Sequence, residues 1–353
     1  MQPLDVALVR WQKADEISDA IGYELRRLGH RVHYFHYDAP IPSDANLVLT
    51  FAPYNRFIQI PHQLAALPPT RRPLFVHWNT ENPPDLRIPW FIVKPISAWR
   101  TWLGKVRPTH GSVGRLSDRL PLAMLHQRMA KFRYVGDAHY TYQQGWVHAF
   151  FDCSEIYSAY HRRHGLPSAF VPFGTLAGAY ADLQLERDID VLWLGKRRTR
   201  RRHRLLERLR AQLSRRGVRL LVVDGVEHPL IYGALRTQIL NRAKLTLNLL
   251  PTWYDCCLLT RFHMAAPNRS LVLGEPSLPH SSQIRAGEHY VAAPIAELAG
   301  AIQHFLTHTA EREDIVARAY DLTTTQLTLA NSVKTLLTHV QSLRHEVATS
   351  AQP

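Results

Sequence analysis

Short apolar runs alternate with amphipathic segments from the first residues of the chain. The run "DVALVR" predicts a buried strand, and Ile17, Ile21, Leu25 and Leu28 then recur at helical spacing until Gly29 ends the pattern. The strand-like runs "NLVLTFA" and "PLFVHWN" follow, with an apolar helical segment around "HQLAAL" between them. This alternation predicts a parallel sheet with helices on its faces.

A second alternating series begins after Asp188. Four strand-like runs, "IDVLWLG", "VRLLVVDG", "KLTLNLL" and "SLVLGE", are separated by helical segments, and helices continue towards the C-terminus. The small and polar stretch 176–188 is typical of a domain connector. We therefore predict an α/β protein with two Rossmann-like domains, at 1–175 and 189–330, and a C-terminal helix and tail at 331–353. Ligands of such folds bind at the carboxyl ends of the strands, so we expect the domains to face each other across a cleft.

The alternation weakens between residues 95 and 134. The segment "GRLSDRLPLAMLHQRMAKFR" is basic and partly amphipathic, and Pro121 interrupts it. One interpretation is a helix on a membrane surface. The interpretation we favour is an insertion packed on its own domain through Leu120, Leu122, Leu125 and Met129.

Composition narrows the class of protein. A chain of 353 residues with 46% hydrophobic and 20% charged residues can bury a large core, and its formal charge of +14 favours anionic partners. The cysteines Cys153, Cys256 and Cys257 lack CxxC spacing, and no apolar run approaches the length that spans a bilayer. We expect a cytoplasmic protein, with peripheral contact to the anionic inner face of a membrane as a further option.

The stretch "WLGKRRTRRRHRLLERL" concentrates the positive charge. A helix beginning near Thr199 would place four leucines on one face (Leu205, Leu206, Leu209, Leu213) and four arginines on the solvated face (Arg201, Arg204, Arg208, Arg215). Gly195, Lys196, Arg197 and Arg198 fall in the strand-to-helix turn, where backbone N–H groups and the helix dipole favour an anion. We predict that this turn binds phosphate. Nucleic acid is a less favoured partner, because the stretch lacks interleaved aromatic residues and matches no groove-reading motif.

The segment "LNLLPTWYDCCLLTRFHMAAPNRSLVLGE", Leu247 to Glu275, resembles the donor-site region of GT-B glycosyltransferases of the family 1 and 4 type. It is most similar to the CgeB-like spore-maturation glycosyltransferases. "ELRRLGHRVHYFHYD" and "FDCSEIYSAYHRRHGLPSAFVPFGT" resemble the start and the end of the N-terminal domain of these enzymes. The resemblance implies transfer of a sugar from a nucleotide diphosphate sugar, as co-substrate, to an acceptor that could be a glycan, a lipid or a protein. It implies no bound metal and no other cofactor.

The resemblance also implies roles for individual donor-side residues. Many retaining members carry two glutamates eight positions apart, near the transferred sugar and the ribose; Asp255 and His263 stand at that spacing here. Asp255 would then be catalytic, or only a helix cap. His263 could hydrogen-bond a ribose hydroxyl or be a packed histidine. Arg261 would bind the donor phosphate, or pair with a neighbouring carboxylate.

Acceptor-side candidates lie in two segments of the first domain. In "FVHWNTENPP", directly after a strand, Glu81 is the candidate general base, and Trp78 and Asn79 are candidate acceptor contacts, with Trp78 as a sugar-stacking platform. The alternative is a loop made rigid by its two prolines. In "VGDAHYTYQQGW", Asp137 and His139 are further acceptor-binding candidates. The rival functions are a catalytically inactive nucleotide-binding protein of the same fold and a basic module that binds nucleic acid or a membrane surface.

Overall fold

The computed structural model describes residues 3–12, 15–51, 57–106, 122–176, 178, 180–197, 199–252, 254–256 and 259–350. The chain divides into two compact units, each with its own sheet. Unit 1 comprises 1–171 and 333–353, and unit 2 comprises 172–332. The sequence predicts that the first domain ends at residue 175 and that a connector spans 176–188, whereas the chain passes from unit 1 to unit 2 between Val171 and Pro172.

Unit 1 contains six strands and the helices that connect them. The strands are β1 (Asp5–Arg10), β2 (Arg31–His36), β3 (Leu47–Phe51), β4 (Leu74–Asn79), β5 (Ala149–Asp152) and β6 (Ser168–Phe170). The helices are α1 (Glu16–Arg27), α2 (Gln59–Ala65), α3 (Trp90–Val106), α4 (Leu122–Gln143) and α5 (Glu155–Arg163).

The first sheet is parallel, in the order β2-β1-β3-β4-β5-β6. Val6, Ala7 and Leu8 of β1 are completely buried, because helices cover both faces of a parallel sheet. Between β1 and β3 the direction of strand addition reverses. The predicted alternation is confirmed for this part of the chain.

Helix α1 shows how local sequence sets an element's limits. The side chain of Asp15 accepts a hydrogen bond from the Ser18 backbone N–H and caps the first turn. At the other end Gly29 has φ +88°, a left-handed conformation that ends helices at little cost only for glycine. The helix therefore stops at the predicted glycine, and the chain turns into β2.

Unit 2 repeats the pattern with five strands. They are β7 (Ile189–Leu194), β8 (Leu220–Val223), β9 (Ala243–Asn248), β10 (Leu271–Gly274) and β11 (Val291–Ala292). The helices are α6 (Arg200–Ser214), α7 (Gly233–Arg242), α8 (Leu259–Ala265), α9 (Leu298–Thr307), α10 (Thr309–Asp321) and α11 (Leu329–Ser350), and α11 continues into unit 1 from Val333. The sheet is parallel in the order β11-β10-β9-β7-β8, so its reversal lies between β7 and β9.

Helix α6 begins where the sequence predicts and packs as predicted on its apolar side. Thr199 caps it by accepting a hydrogen bond from the Arg202 backbone N–H, and Leu206, Leu209 and Leu213 are buried. The cationic side differs from the prediction, because Arg201 is not on a purely solvated face. Its guanidinium pairs with Glu275 and donates to the Leu250 carbonyl oxygen at 2.8 Å.

The region from 95 to 134 contains two helices, α3 and α4, in its described part. They contact each other closely at Gly136, where a Cβ atom would lie 2.3 Å from the Ser97 carbonyl oxygen. Residues 107–121, which include Leu120 and Pro121 of the predicted packing, lie outside the described residues. Within the described part of the chain, none of the helices has the length and apolarity needed to cross a bilayer.

Candidate functional site

The carboxyl ends of β7 and β9 carry the most distinctive group of side chains in unit 2. The guanidinium of Arg261, on α8, lies 4.2 Å from the centre of the Trp193 ring. Its Nη1 donates to the Asn248 side-chain oxygen at 3.4 Å. Trp193 belongs to β7 and Asn248 ends β9, so Arg261 lies at the point where strand order reverses. In open α/β sheets this point is the usual ligand-binding position.

Gly195 brings the backbone close to that guanidinium. Its φ is +120°, a backbone conformation that residues with a Cβ rarely adopt. A Cβ at this position would lie 3.4 Å from Arg261 Nη2. Its N–H donates to the Val223 carbonyl oxygen at 2.9 Å, and its own carbonyl oxygen accepts from Trp193 Nε1 at 2.7 Å. Gly195 thus shapes the turn, and its N–H is already bonded within the fold.

The two described cations of this turn behave differently. Lys196 is exposed and forms no hydrogen bond or ion pair with any residue in the described part of the chain. Arg197 instead pairs with Asp224 at 2.5 Å and with Glu207 and Glu227. Three carboxylates therefore already surround the charge of Arg197 within the fold, and its role in phosphate binding stays a prediction. Arg198 lies outside the described residues.

Asp224 explains why Arg197 turns inward. It follows β8 directly, and its side chain is fully buried beside the turn after β7. Burial raises the pKa of Asp224, but the backbone N–H groups of Glu227 and Val226 and the Arg197 guanidinium together hold it below its usual value. A buried carboxylate needs such a partner. The sequence signal was present, because Asp224 comes directly after a strand that neighbours β7.

Further arginines attach α6 to the strand ends. Arg201 pairs with Glu275, which follows β10, and Glu275 also accepts a hydrogen bond from the Leu250 N–H at 2.7 Å. Arg202 is buried and donates to the Leu249 carbonyl oxygen at 3.0 Å. Two residues of the arginine run thus hold the helix in place, which period counting alone does not reveal.

Asp255 is buried in the loop before α8. Its carboxylate accepts from Thr252 Oγ1 at 2.9 Å and from the Cys256 N–H at 2.8 Å. The described part of α8 begins at Leu259, and residues 257 and 258 before it lie outside the described residues, so both predicted roles of Asp255, catalytic residue and helix cap, stay predictions. Cys256 Sγ in turn lies 3.4 Å from His280 Nδ1, a residue that sequence reasoning missed.

His263 points away from the Arg261 group, although both belong to α8. Its Nδ1 lies 3.3 Å from Thr175 Oγ1, and its buried Nε2 has no hydrogen-bond partner among the described residues. Burial, together with the nearby His280, lowers the pKa of His263 to about 3, so the ring is neutral near pH 7. His263 cannot supply the charge of the carboxylate for which it stands in the resemblance.

Trp78 is the clearest correction in unit 1. Its side chain is completely buried, its Nε1 donates to the Val171 carbonyl oxygen at 3.0 Å, and its ring meets Phe51 edge-on. A residue in this position fills the core and cannot serve as a stacking platform for a sugar. Residues of β4 alternate between the two faces, and helices cover both, so the strand end was less open than predicted.

Asn79 also has a structural role, in a buried network at the carboxyl ends of β4 and β5. Its Nδ2 donates to Asp152 at 2.7 Å, and Asp152 also accepts from His161 Nδ1 at 2.8 Å and from Ser168 Oγ at 2.5 Å. Burial raises the pKa of Asp152, but His161, Ser168 and Asn79 outweigh that effect and lower it. Buried in this network, Asn79 is not placed to contact an acceptor, which corrects the prediction.

Glu81 is positioned by the same asparagine. Its backbone N–H donates to Asn79 Oδ1 at 2.7 Å, which fixes the turn that follows β4, and its residue is half-buried. Burial and the Glu81 carboxylate together raise the pKa of Tyr134 on α4. Glu81 is thus held near a phenol at the strand end.

Asp137 and His139, the two candidates on α4, have different surroundings. Asp137 is buried and accepts from Thr101 Oγ1 at 2.8 Å and from Arg133 Nε at 3.2 Å, so it joins α4 to α3 and does not face an acceptor as predicted. His139 lies 5.2 Å from the Trp90 ring, and burial lowers its pKa to about 4. Its role as an acceptor contact stays a prediction.

In the residues that the structure describes, no three His, Cys, Asp or Glu side chains are grouped so as to hold a metal ion. The predicted independence from metals stays a prediction.

The chain is similar to known glycosyltransferases in part of its sequence and in its fold. Residues 197–338 match a family model described as glycosyl transferase-like. No curated protein sequence matches the chain. Among solved structures, HepE from Anabaena in complex with UDP and glucose is 10% identical, over 96% of this chain and 100% of its own, with a TM-score of 0.57. Sucrose-phosphate synthase from Thermosynechococcus elongatus is 12% identical, over 97% and 100%, with a TM-score of 0.59.

A third structure, AviGT4, a glycosyltransferase involved in avilamycin A biosynthesis, is 12% identical over 98% of this chain and 99% of its own, with a TM-score of 0.55. Identities this low establish the fold alone. The chain has two parallel-sheet α/β domains like those of GT-B glycosyltransferases, which confirms the predicted fold class.

Proposed function

We propose that the protein is a glycosyltransferase that uses a nucleotide diphosphate sugar as donor, and that the strand ends of β7 and β9 bind the diphosphate. The observation that carries the proposal is the position of Arg261. Its guanidinium lies beside Gly195 at the point where the strand order reverses. Arg261 itself falls within residues 197–338, which match the glycosyl transferase-like family model. Of the families within the GT-B class, we retain the CgeB-like branch as the one the sequence resembles most.

Charge at the site favours a diphosphate. Arg261 carries a forked guanidinium over the Trp193 ring, and such a group can bind two phosphate oxygens at once. Lys196 adds an exposed ammonium in the turn two residues after β7. When the bond between the anomeric carbon and the diphosphate breaks, negative charge grows on the leaving group, and these cations stabilise it. No metal takes part in the proposed mechanism.

The acceptor hydroxyl must lose its proton during transfer. We assign this task to Glu81, since Asn79 holds its backbone at the end of β4 and its residue is half-buried. Replacing Glu81 with glutamine is expected to lower kcat by about 10²- to 10⁴-fold without weakening donor binding. Asp255 is retained as a residue near the transferred sugar, in a loop that its carboxylate holds in shape.

Equilibrium binding of nucleotide diphosphates tests the proposal. UDP and UDP-glucose are the first ligands to measure, because HepE has been solved in complex with UDP-glucose; GDP, ADP and dTDP complete the panel. The Arg261→Met variant keeps an apolar stem on Trp193 but removes the charge. We expect it to bind the preferred diphosphate about 10- to 100-fold more weakly than wild type.

Arg204→Ala is the matched control, since Arg204 is an exposed arginine on α6. It should bind like wild type. Equal losses in both variants would indicate general charge attraction instead of a site, and no binding of any diphosphate by wild type would overturn the proposal.

A second candidate is a nucleotide-binding protein without transferase activity. It is favoured by His263, a neutral buried ring at the place of a ribose-binding carboxylate. Diphosphate binding that depends on Arg261, without release of nucleotide from any sugar donor across an acceptor panel, would support this candidate over the enzyme.

A further inference from the structure

Helix α3 (Trp90–Val106) exposes large aromatic side chains along one face. Phe91 is 76% exposed, Trp99 50% and Trp102 57%. Isolated exposed hydrophobic residues are common, but three aromatic residues on one face of one helix form a patch, and such patches mark interaction sites. This set, Phe91, Trp99 and Trp102, is called the aromatic face below.

The spacing and the packing of α3 fix the direction of this face. Positions 91, 99 and 102 lie within about a quarter turn of one another, at 3.6 residues per turn. Val93, Ser97 and Thr101 lie on the other side and are buried.

The inner side of α3 packs directly against α4 through a close backbone approach and a hydrogen bond. A Cβ on Gly136 would meet the Ser97 carbonyl oxygen at 2.3 Å, and Thr101 Oγ1 donates to Asp137 at 2.8 Å. The aromatic face therefore points outward without breaking this packing.

The stretch of sequence that contains α3 is strongly cationic. Between residues 90 and 134 the sequence contains nine lysines and arginines and a single aspartate, a net of +8 out of +14 in about an eighth of the chain, although 107–121 lie outside the described residues. Lys94, within α3, is exposed beside the aromatic residues. The charge of this stretch and the exposed Lys94 favour an extended negative surface as partner.

We propose that the aromatic face docks on an anionic lipid bilayer, with α3 lying in the plane of the interface. Tryptophan and phenylalanine are the side chains favoured at the boundary between headgroups and acyl chains, and flanking cations bind anionic headgroups. The helix does not span the bilayer, because Lys94, Pro95 and Arg100 interrupt it and it lacks the necessary apolarity. Protein interfaces are depleted in lysine, which makes a bilayer the better match.

Vesicle co-sedimentation of the full chain tests the proposal. We expect binding to phosphatidylcholine vesicles that contain phosphatidylglycerol, weaker binding to phosphatidylcholine alone, and further weakening by salt. Tryptophan fluorescence should be quenched by brominated lipid, because Trp99 and Trp102 enter the interface. The F91S/W99S/W102S variant should lose at least about tenfold in affinity for the anionic vesicles.

The control removes exposed apolar groups elsewhere. Tyr232 and Leu235, in unit 2, are 65% and 63% exposed, so Y232S/L235S should bind vesicles like wild type. Circular dichroism checks that each variant is folded, and the single variant Trp99→Ser replaces the triple one if that fails to fold. No binding of wild type to anionic vesicles, or equal binding by wild type and the aromatic-face variant, would overturn the proposal. So would self-association of wild type that this variant abolishes, since a second copy would then cover the face.

Discussion

The carboxyl edges of the two sheets both carry polar residues, but they use them in opposite ways. In unit 1, Asp152 accepts hydrogen bonds from Asn79, His161 and Ser168, and the whole network is buried. In unit 2, Lys196 follows Gly195 in the chain and stays exposed without a partner in the described part of the chain, and the Arg261 guanidinium lies over the Trp193 ring.

The difference concerns where hydrogen-bonding capacity is used. Polar side chains that hydrogen-bond one another inside the fold stabilise it. An exposed cation near the point where the strand order reverses can still bind a ligand. A polar residue that follows a strand can therefore contact a ligand only if contacts within the fold leave its charge or hydrogen-bonding groups available. Arg197 is an example within unit 2, because its guanidinium already forms ion pairs with Asp224, Glu207 and Glu227.

The largest effect is expected when the unit 1 network loses its centre. Asp152→Ala leaves the three donors buried without their acceptor, and we expect the free energy of unfolding to fall by about 3–5 kcal/mol. Urea unfolding measures it, with Asp152→Asn as the milder control because it retains one acceptor oxygen. Unchanged stability with weakened nucleotide binding would contradict the structural role assigned to the Asp152 network.

Removing Arg197 tests whether a cation in the turn after β7 stabilises the fold or binds a ligand. In Arg197→Ala the buried Asp224 loses its counter-ion, and the free energy of unfolding should fall by about 2–3 kcal/mol. Diphosphate affinity should stay near that of wild type. The double variant Arg197→Ala/Asp224→Asn should be less destabilised than the sum of the single ones, because the two side chains interact. Unfolding curves and binding isotherms of the same samples measure the two effects. A large loss of diphosphate affinity without loss of stability would show that Arg197 binds the ligand and does not stabilise the fold.

Acid sensitivity gives a smaller effect, measured as a slope. The folded pKa of His263 is about 3, below its ordinary value of 6.5, so the unfolded chain binds the proton more readily. The stability this residue contributes is present above pH 6.5 and is lost as pH falls towards 3. One proton corresponds to about 1.4 kcal/mol per pH unit.

The His263→Gln variant should therefore lose stability with falling pH less steeply than wild type across that window. His345→Gln, at an exposed position, is the control and should keep the wild-type slope. Parallel slopes for all three proteins would mean that folding does not change the pKa of His263.

The smallest effect is expected at Lys196. An exposed side chain without partners in the described structure contributes little to folding, so Lys196→Ala should change the free energy of unfolding by less than about 0.5 kcal/mol. It should weaken diphosphate binding about 3- to 10-fold at low salt, and less as salt rises. Calorimetric titration at two ionic strengths measures this. If affinity is independent of residue 196, the turn after β7 does not contact phosphate.

Much of the architecture could be predicted from periodicity. Strand-like runs such as "DVALVR" and "IDVLWLG" became β1 and β7, because residues buried on both faces of a parallel sheet must be apolar. Helix ends followed local chemistry, as the Asp15 cap and the Thr199 cap show. Strand-like runs and helix caps depend on residues close together in the sequence, so they can be predicted from the sequence.

The candidate site was predicted less completely. Gly195 and Arg261 meet at one strand end, and Lys196 has no partner among the described residues, whereas Trp78, Arg197 and Asp137 are engaged by other side chains or backbone groups inside the fold. Their partners, such as Asp224 for Arg197, come from other strands and helices, at distances in sequence that no spacing rule covers.

Sequence alone determined the alternation of strands and helices, the limits of several helices and the position of the basic turn, since each follows from short-range patterning and backbone preference. Only the tertiary structure decided which cations are neutralised, which aromatic side chains are buried and which face of α3 is left outside. Those outcomes depend on which residues meet across strands and between helices, and the strength of a charge or a hydrogen bond is set by what surrounds it.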